Sequence, residues 1–358
     1  MSREASGRVL LGLATLLVCG GQAATQVPLG LPLRVKSVIQ VSGVNAPAML
    51  VPIKCDVKGN VYIRGYQPGS LMAAPIVRIS PDGERVSVLD LRQVSGFEKG
   101  TTRDFAIDFR GNLYLLAYKK ANEPSIVLLR DNGEFSWSVQ VQPFFYAMHV
   151  AVFPSGEFLI SGVRPAKDTA EPPSEPFVGI FGEDGKLLRE IKLPDNAEKA
   201  DVVRSVNEAR GPKAVQAPES QRGPGQAIKQ VPPDISLGTA MVADDGNAYL
   251  MRAKTNPLIY VVSVAGEVLR RFELEPPADG FKVATIRING GRIVADFDGP
   301  RESMPRPRFY SVFDAATGQK LFQYSAHDLP GALACYTGSD FTLVSSGPSN
   351  LILKRVGP

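Results

Sequence analysis

Histidine is nearly absent from this chain: of 358 residues only His149 and His327 carry an imidazole. A zinc site built on several histidines is therefore excluded, and a Ser-His-Asp hydrolase would have to use one of these two. No Gly-x-Ser-x-Gly turn accompanies either. Charge of one sign is also missing, since the formal net charge is only +4. That is too little to point to nucleic acid, and none is expected as a partner. Long hydrophobic runs are missing too. The one apolar run of note, Val9 to Cys19, is too short for a comfortable membrane span.

That run follows Arg3 and Arg8 and precedes the small residues Gly20, Gly21, Ala23 and Ala24. Charged, then apolar, then small is the order of a secretory signal, and residues 1–24 are read as one. An uncleaved anchor is the alternative. A lipoprotein signal on Cys19 fits poorly, because Val18 stands where a small residue is required. Cleavage near Ala23 or Ala24 predicts an exported chain, periplasmic or extracellular, without a membrane association of its own. Loss of Arg3, Glu4 and Arg8 lowers the net charge by one.

What the chain does have is a repeat. Gly59-Asn60-Val61-Tyr62-Ile63 returns as Gly111-Asn112-Leu113-Tyr114-Leu115, Gly156-Glu157-Phe158-Leu159-Ile160, Gly246-Asn247-Ala248-Tyr249-Leu250 and Gly291-Arg292-Ile293-Val294-Ala295. A decayed sixth copy begins at Gly338. In each copy a further apolar strand follows, and in five of them a tight turn and a fourth strand, as at Asp82-Gly83, Asn132-Gly133 and Asp184-Gly185. A period of about 45 residues with four short strands is the signature of a propeller blade. The fold class expected is all-β: a six-bladed β-propeller of four-stranded antiparallel blades, one domain over residues 25–358.

The sixth copy reaches Pro358 without a fourth strand. The stretch Leu33 to Val41 alternates apolar and polar residues, the period of a half-buried strand, and is expected to pair beside Leu351 to Val356 and close the ring. Pro194 to Ser236 breaks the rhythm. It is rich in Pro, Gly, Gln and charge, and its composition cannot bury enough surface to order itself. It is read as a disordered insertion, with a short helix over Ala197 to Glu208 as its only candidate element.

Beyond Cys19, only Cys55 and Cys335 remain, in the innermost strands of the first and last blades. Those strands should be neighbours across the closure. Two readings are open: a disulfide that closes a loop of most of the chain, or two buried thiols. Counted from the following glycine, the two cysteines differ by one residue, and one residue reverses the face of a strand.

The recurring Asp or Ser followed by Gly-Asn-aliphatic-Tyr resembles the NHL and SMP-30-like superfamily of six-bladed propellers, from Leu33 to Pro358. The resemblance implies a ligand face made of the loops that enter each innermost strand and those that join the second and third strands. On that face it places the insertion, the loop Arg164 to Pro176, and the basic residues Lys119, Lys120, Arg252, Lys254, Arg301, Arg306 and Arg308. The ligand-binding candidates are Arg103, Asp104, Tyr146, His149, Arg252 and Arg306. The plainer readings of these residues are packing and local pairing: Phe144 and Phe145 beside Tyr146 read as core, and His149 as a hydrogen-bonded structural histidine. The function expected is an exported, non-enzymatic, monomeric propeller that binds a protein, peptide or glycan, with no cofactor and no metal site. An anionic glycan or phosphate group is the sharper version, given the basic loops. The alternative is a divalent-metal-dependent hydrolase or lactonase of the SMP-30-like kind. It would use calcium or another hard cation held by Asp104, Asp244, Asn45 and Asp279. The Glu-Gly-Pro opening of such enzymes is replaced here by Val44-Asn45-Ala46-Pro47-Ala48.

Overall fold

The computed structural model describes residues 30–42, 44, 52–64, 75–120, 123–164, 175–194, 232–300, 303, 306–347 and 350–358. The signal segment, Asn45, Arg301, the candidate helix over 197–208 and most of the insertion lie outside them. Six four-stranded antiparallel blades form a ring, as the repeat predicts. Blade one comprises β3 (Ile53–Cys55), β4 (Val61–Arg64), β5 (Ile76–Ile79) and β6 (Val86–Leu89). Blade two comprises β7 (Thr101–Ile107), β8 (Leu113–Tyr118), β9 (Pro124–Leu129) and β10 (Phe135–Gln140). Blade three runs from β11 (Tyr146–Val152) through β12 (Phe158–Arg164) and β13 (Glu175–Phe181) to β14 (Leu187–Glu190). Blade four runs from β15 (Thr239–Val242) through β16 (Ala248–Arg252) and β17 (Leu258–Val262) to β18 (Val268–Glu273). Blade five contains β19 (Lys282–Asn289), β20 (Arg292–Asp298), β21 (Arg308–Asp314) and β22 (Lys320–Ser325). Blade six contains β23 (Ala332–Thr337), β24 (Asp340–Ser346) and β25 (Leu351–Gly357).

Its fourth strand comes from the N-terminal side. β2 (Arg34–Val41) pairs antiparallel with β25, Val41 opposite Leu351 and Val35 opposite Val356. The N-terminal segment also does something the sequence pattern did not announce. β1 (Leu31–Pro32) runs parallel to β22, with Leu31 opposite Tyr324. One segment therefore edges blade five before it completes blade six.

The strands differ in character according to depth. Middle strands such as β9 and β17 are buried throughout and read as continuous apolar runs, whereas the outermost β18 alternates half-buried and exposed residues. Each neighbouring pair of blades shares an apolar cluster. Between blades one and two, for example, Tyr62 and Ile76 pack on Phe105 and Leu115.

The recurring Asp…Gly-Asn-x-Tyr residues are explained by the hairpins that join first and second strands. Asp56 Oδ1 accepts the backbone N–H groups of Lys58 and Asn60, both at 2.9 Å. Its Oδ2 accepts Asn60 Nδ2 at 2.7 Å and the Tyr62 hydroxyl at 3.2 Å. Asp108 repeats the pattern on Arg110 and Asn112. Gly59 and Gly111 hold φ of 81° and 93°, which a side chain would strain. These motif residues are thus turn locks, with their polar atoms consumed by the fold.

Candidate functional site in the central channel

The innermost strands β3, β7, β11, β15, β19 and β23 surround the channel, and β7, β11, β19 and β23 each carry a bulge against the second strand of their blade. β7 carries a bulge between Thr102 and Asp104, and β11 one between Ala147 and His149. Bulges re-aim the adjoining side chains. Asp104 and His149 are brought together with Lys54 of blade one. Lys54 Nζ lies 2.9 Å from Asp104 Oδ1 and 3.1 Å from Oδ2, and also donates to the Phe105 carbonyl. The Val150 N–H donates to Asp104 Oδ2 at 3.0 Å. Burial pushes the Asp104 carboxyl up, but Lys54, His149 and the Val150 N–H outweigh it and hold it below the ordinary carboxylate range. Burial also lowers Lys54, against the pull of Asp104. The two close contacts identify a charged pair.

His149 is committed through Nε2. Nε2 lies 2.8 Å from the Ile235 carbonyl, which can only accept, so the proton is on Nε2. Nδ1 then faces Asp104 Oδ2 at 3.8 Å without a proton to give it. Burial lowers the imidazole pKa further, so the ring is neutral at pH 7. In a Ser-His-Asp triad the carboxylate orients Nδ1–H and leaves Nε2 for the nucleophile. Here Nε2 is spent on the backbone, as expected of a structural histidine. Ile235 belongs to a single helical turn, Pro233–Ser236, at the end of the predicted insertion. It packs against Met148 and Val163, so the last residues of that stretch are an ordered part of this site.

His327 keeps different company. Its Nδ1 is 2.6 Å from Ser325 Oγ and its Nε2 3.0 Å from Asp328 Oδ2. The imidazole and Asp328 lie on the exposed edge, and neither borders the cavity in the channel.

Two buried arginines complete the channel wall, and sequence reading passed over both. Arg64 Nη1 donates to the carbonyls of Thr102 and Arg103, the latter at 2.6 Å, and burial lowers its pKa to about 10. Arg287 has no carboxylate within hydrogen-bonding reach among the described residues. Its Nε donates to Ala334 O at 2.5 Å, Nη1 to Thr285 Oγ1 and Ile286 O, and Nη2 to Ile53 O at 2.6 Å and Leu333 O at 2.8 Å. One guanidinium thereby ties blades five, six and one. The signal available in the sequence was a lone cation inside an apolar innermost strand: Lys54 within Ile53-Lys54-Cys55, Arg287 within Ile286-Arg287-Ile288.

Below this layer lies a cavity of about 470 Å³, with Lys54 and Arg287 among its lining and Phe153, Val242 and Asn289 on its walls. It opens where first strands turn into second strands, between the hairpins that carry Val57, Phe109 and Pro154. This is the end opposite the predicted ligand face. Phe109 is 55% exposed and Val57 66%.

The predicted candidates on the other face are mostly engaged. Arg252 is only 5% exposed and pairs with Asp234 at 3.4 Å. Arg306 pairs with Asp298 at 3.2 Å and donates to Gly299 O. Arg308 binds the buried Asp296, Nε to Oδ1 at 2.8 Å. Lys120 pairs with Glu123, and the Lys119 ammonium sits 4.6 Å from the Phe97 ring centroid. Arg252, Arg306, Arg308, Lys119 and Lys120 of that face thus form ion pairs and cation–π contacts. Arg103 is half-buried, with its carbonyl accepting from Arg64. Tyr146 meets Phe144 edge-on at 5.2 Å. Phe145 is core as expected, while Phe144 is 36% exposed.

The carboxylates proposed for a metal do not meet. Asp104 answers Lys54, Asp244 accepts the Gly290 N–H at the hairpin end, and Asp279 is exposed before β19. Among the described residues no three His, Cys, Asp or Glu side chains gather at metal-holding distance. Cys55 and Cys335 do meet. Both are free thiols, held in the apolar cluster between blades six and one on strands that pack side by side.

No protein-family model and no curated protein matches this chain. Among solved structures it is similar to virginiamycin B lyase from Staphylococcus aureus, at 13% identity over 91% of this chain and 99% of that one, TM-score 0.45. It is also similar to a protein of unknown function from Bacteroides caccae, at 12% identity over 80% and 92%, TM-score 0.44. The WD40 domain of Neurospora crassa Pan2 aligns at 9% identity over 91% and 97%, TM-score 0.45. Likenesses this distant say nothing about activity.

Proposed function

We propose that this chain is an exported, non-enzymatic propeller of the NHL and SMP-30-like kind that binds a protein or peptide ligand at the hairpin-side mouth of its channel. The observation that carries the reading is the contrast within the channel. Its buried ionisable groups Lys54, Asp104, His149 and Arg287 are held in mutual or backbone contacts, whereas the mouth offers a large cavity rimmed by exposed Val57 and Phe109. Apolar rim residues around a concave site suit an inserted side chain or loop. The Gly-Asn-aliphatic-Tyr hairpins support the family placement and also build this rim. Export rests on the N-terminal charged, apolar and small segments.

The test is a peptide-library binding screen with the mature protein and a Phe109→Glu variant, with melting temperature as the check on folding. Ligands that bind the parent and lose at least tenfold in affinity with Phe109→Glu support the mouth as the site. Binding unaffected by that change points to the other face. Lactone or ester turnover that depends on added calcium would overturn the non-enzymatic reading.

A further inference from the structure

The two cysteines meet at the one place where the ring is joined by non-covalent contacts between its first and last blades. β3 and β23 pack side by side there. The one-residue difference in their offsets from glycine has no consequence, because the two hairpins differ in length. Blade six turns directly from Thr337 to the opposing Asp340, whereas blade one loops from Cys55 to the opposing Val61. Arg287 fixes the approach of the two strands. It donates to the carbonyl of Ile53, two residues before Cys55, and to those of Leu333 and Ala334, just before Cys335.

The thiols are not equivalent. Cys55 is partly exposed and lines the channel cavity, and Cys335 lies buried behind it in the cluster between blades six and one. Burial pushes the Cys335 thiol up, as does its neighbour Cys55, while the nearby Arg287 charge opposes both. Cys335 therefore reacts second, after Cys55 has lost its own thiol proton and charge to a new bond. Two thiols in one cluster on adjacent innermost strands, one reachable and one sheltered, suit the attacking and resolving roles of thiol–disulfide exchange.

We propose that Cys55 and Cys335 form a redox latch across the ring closure, oxidised by a small soluble disulfide that enters through the channel mouth. The Cys55 thiolate attacks one sulfur of the external disulfide, forms a mixed disulfide and expels one thiolate. The Cys335 thiolate then attacks the Cys55 sulfur and expels the second. The chain loses two electrons and two thiol protons, which leave on the two released thiols. The latch closes a loop from the first blade to the last and constrains the unfolded chain accordingly.

The experiment is incubation of the reduced, folded protein without residues 1–24, whose cysteines are Cys55 and Cys335 alone, with oxidised glutathione, followed by denaturation, thiol labelling and intact-mass analysis. The expected result is loss of both labelling sites and of two hydrogens from the mass, with no dimer and no retained glutathione. The melting temperature should rise by roughly 5–10 °C. Cys335→Ser should retain glutathione on Cys55, because the resolving thiol is gone, and Cys55→Ser should take up none. Two thiols that persist in the parent, a stable adduct there, or a disulfide-linked dimer would overturn the latch. The parent protein alone separates these outcomes, even if a serine variant fails to fold.

Discussion

Lys54 Nζ lies 2.9 Å from Asp104 Oδ1, an ion pair that joins the innermost strands of blades one and two inside the channel. The pair is almost wholly removed from water, and removing one member leaves the other charge buried without its partner. Asp104→Ala is expected to cost about 3–5 kcal/mol. The double change Lys54→Met with Asp104→Leu should recover most of that loss. Urea unfolding of Lys54→Met, Asp104→Leu and the double variant measures the coupling.

His149 sets an acid limit. Its pKa in the folded chain is lowered by burial below the ordinary 6.5. Between that lowered value and 6.5 the unfolded chain binds more protons, so stability rises with pH across this window and falls as the solution is acidified through it. His149→Gln keeps a donor for the Ile235 carbonyl and removes the titration. The variant should show a flatter stability profile as the pH falls below 7. An unchanged slope, read by urea midpoints against pH, would contradict the neutral, buried histidine.

The N-terminal strand is part of the ring rather than an appendage. Removal of residues 31–41 would leave β25 as an unpaired edge and uncover Leu351 and Leu353, both buried beside Val41. Such a chain is expected to lose cooperative unfolding and to self-associate through the bare strand. Within the intact chain, Leu351→Ala should cost about 2–5 kcal/mol. Light scattering and thermal denaturation read the two effects.

The turn aspartates are structural. Asp108→Ala deprives Arg110 N, Asn112 N and Asn112 Nδ2 of their acceptor, and a loss of about 1–3 kcal/mol is expected. Asp108→Asn keeps an acceptor and should recover part of it. Ligand affinity at the mouth should change far less than with Phe109→Glu. A large, selective loss of binding with Asp108→Ala at unchanged stability would instead place its carboxylate in the ligand site.

Local sequence determined the blades of this protein. Gly59 and Gly111 mark hairpins because only a residue without a side chain adopts their φ cheaply, and the aspartate and asparagine around them complete the turn within a few residues. The alternation over Leu33 to Val41 likewise identified a strand and a vacant edge for it. What lies at the channel was decided elsewhere. Lys54, Asp104, His149 and Ile235 come from three blades and an insertion, and their meeting depends on two bulges and on how blades pack around the axis. The same holds for Arg287, which reads as an isolated cation along the chain but binds carbonyls of three blades in the ring. Hairpins and strands follow from neighbours in sequence, whereas burial, pairing and the identity of the open channel mouth follow from closure of the ring, which no single repeat encodes.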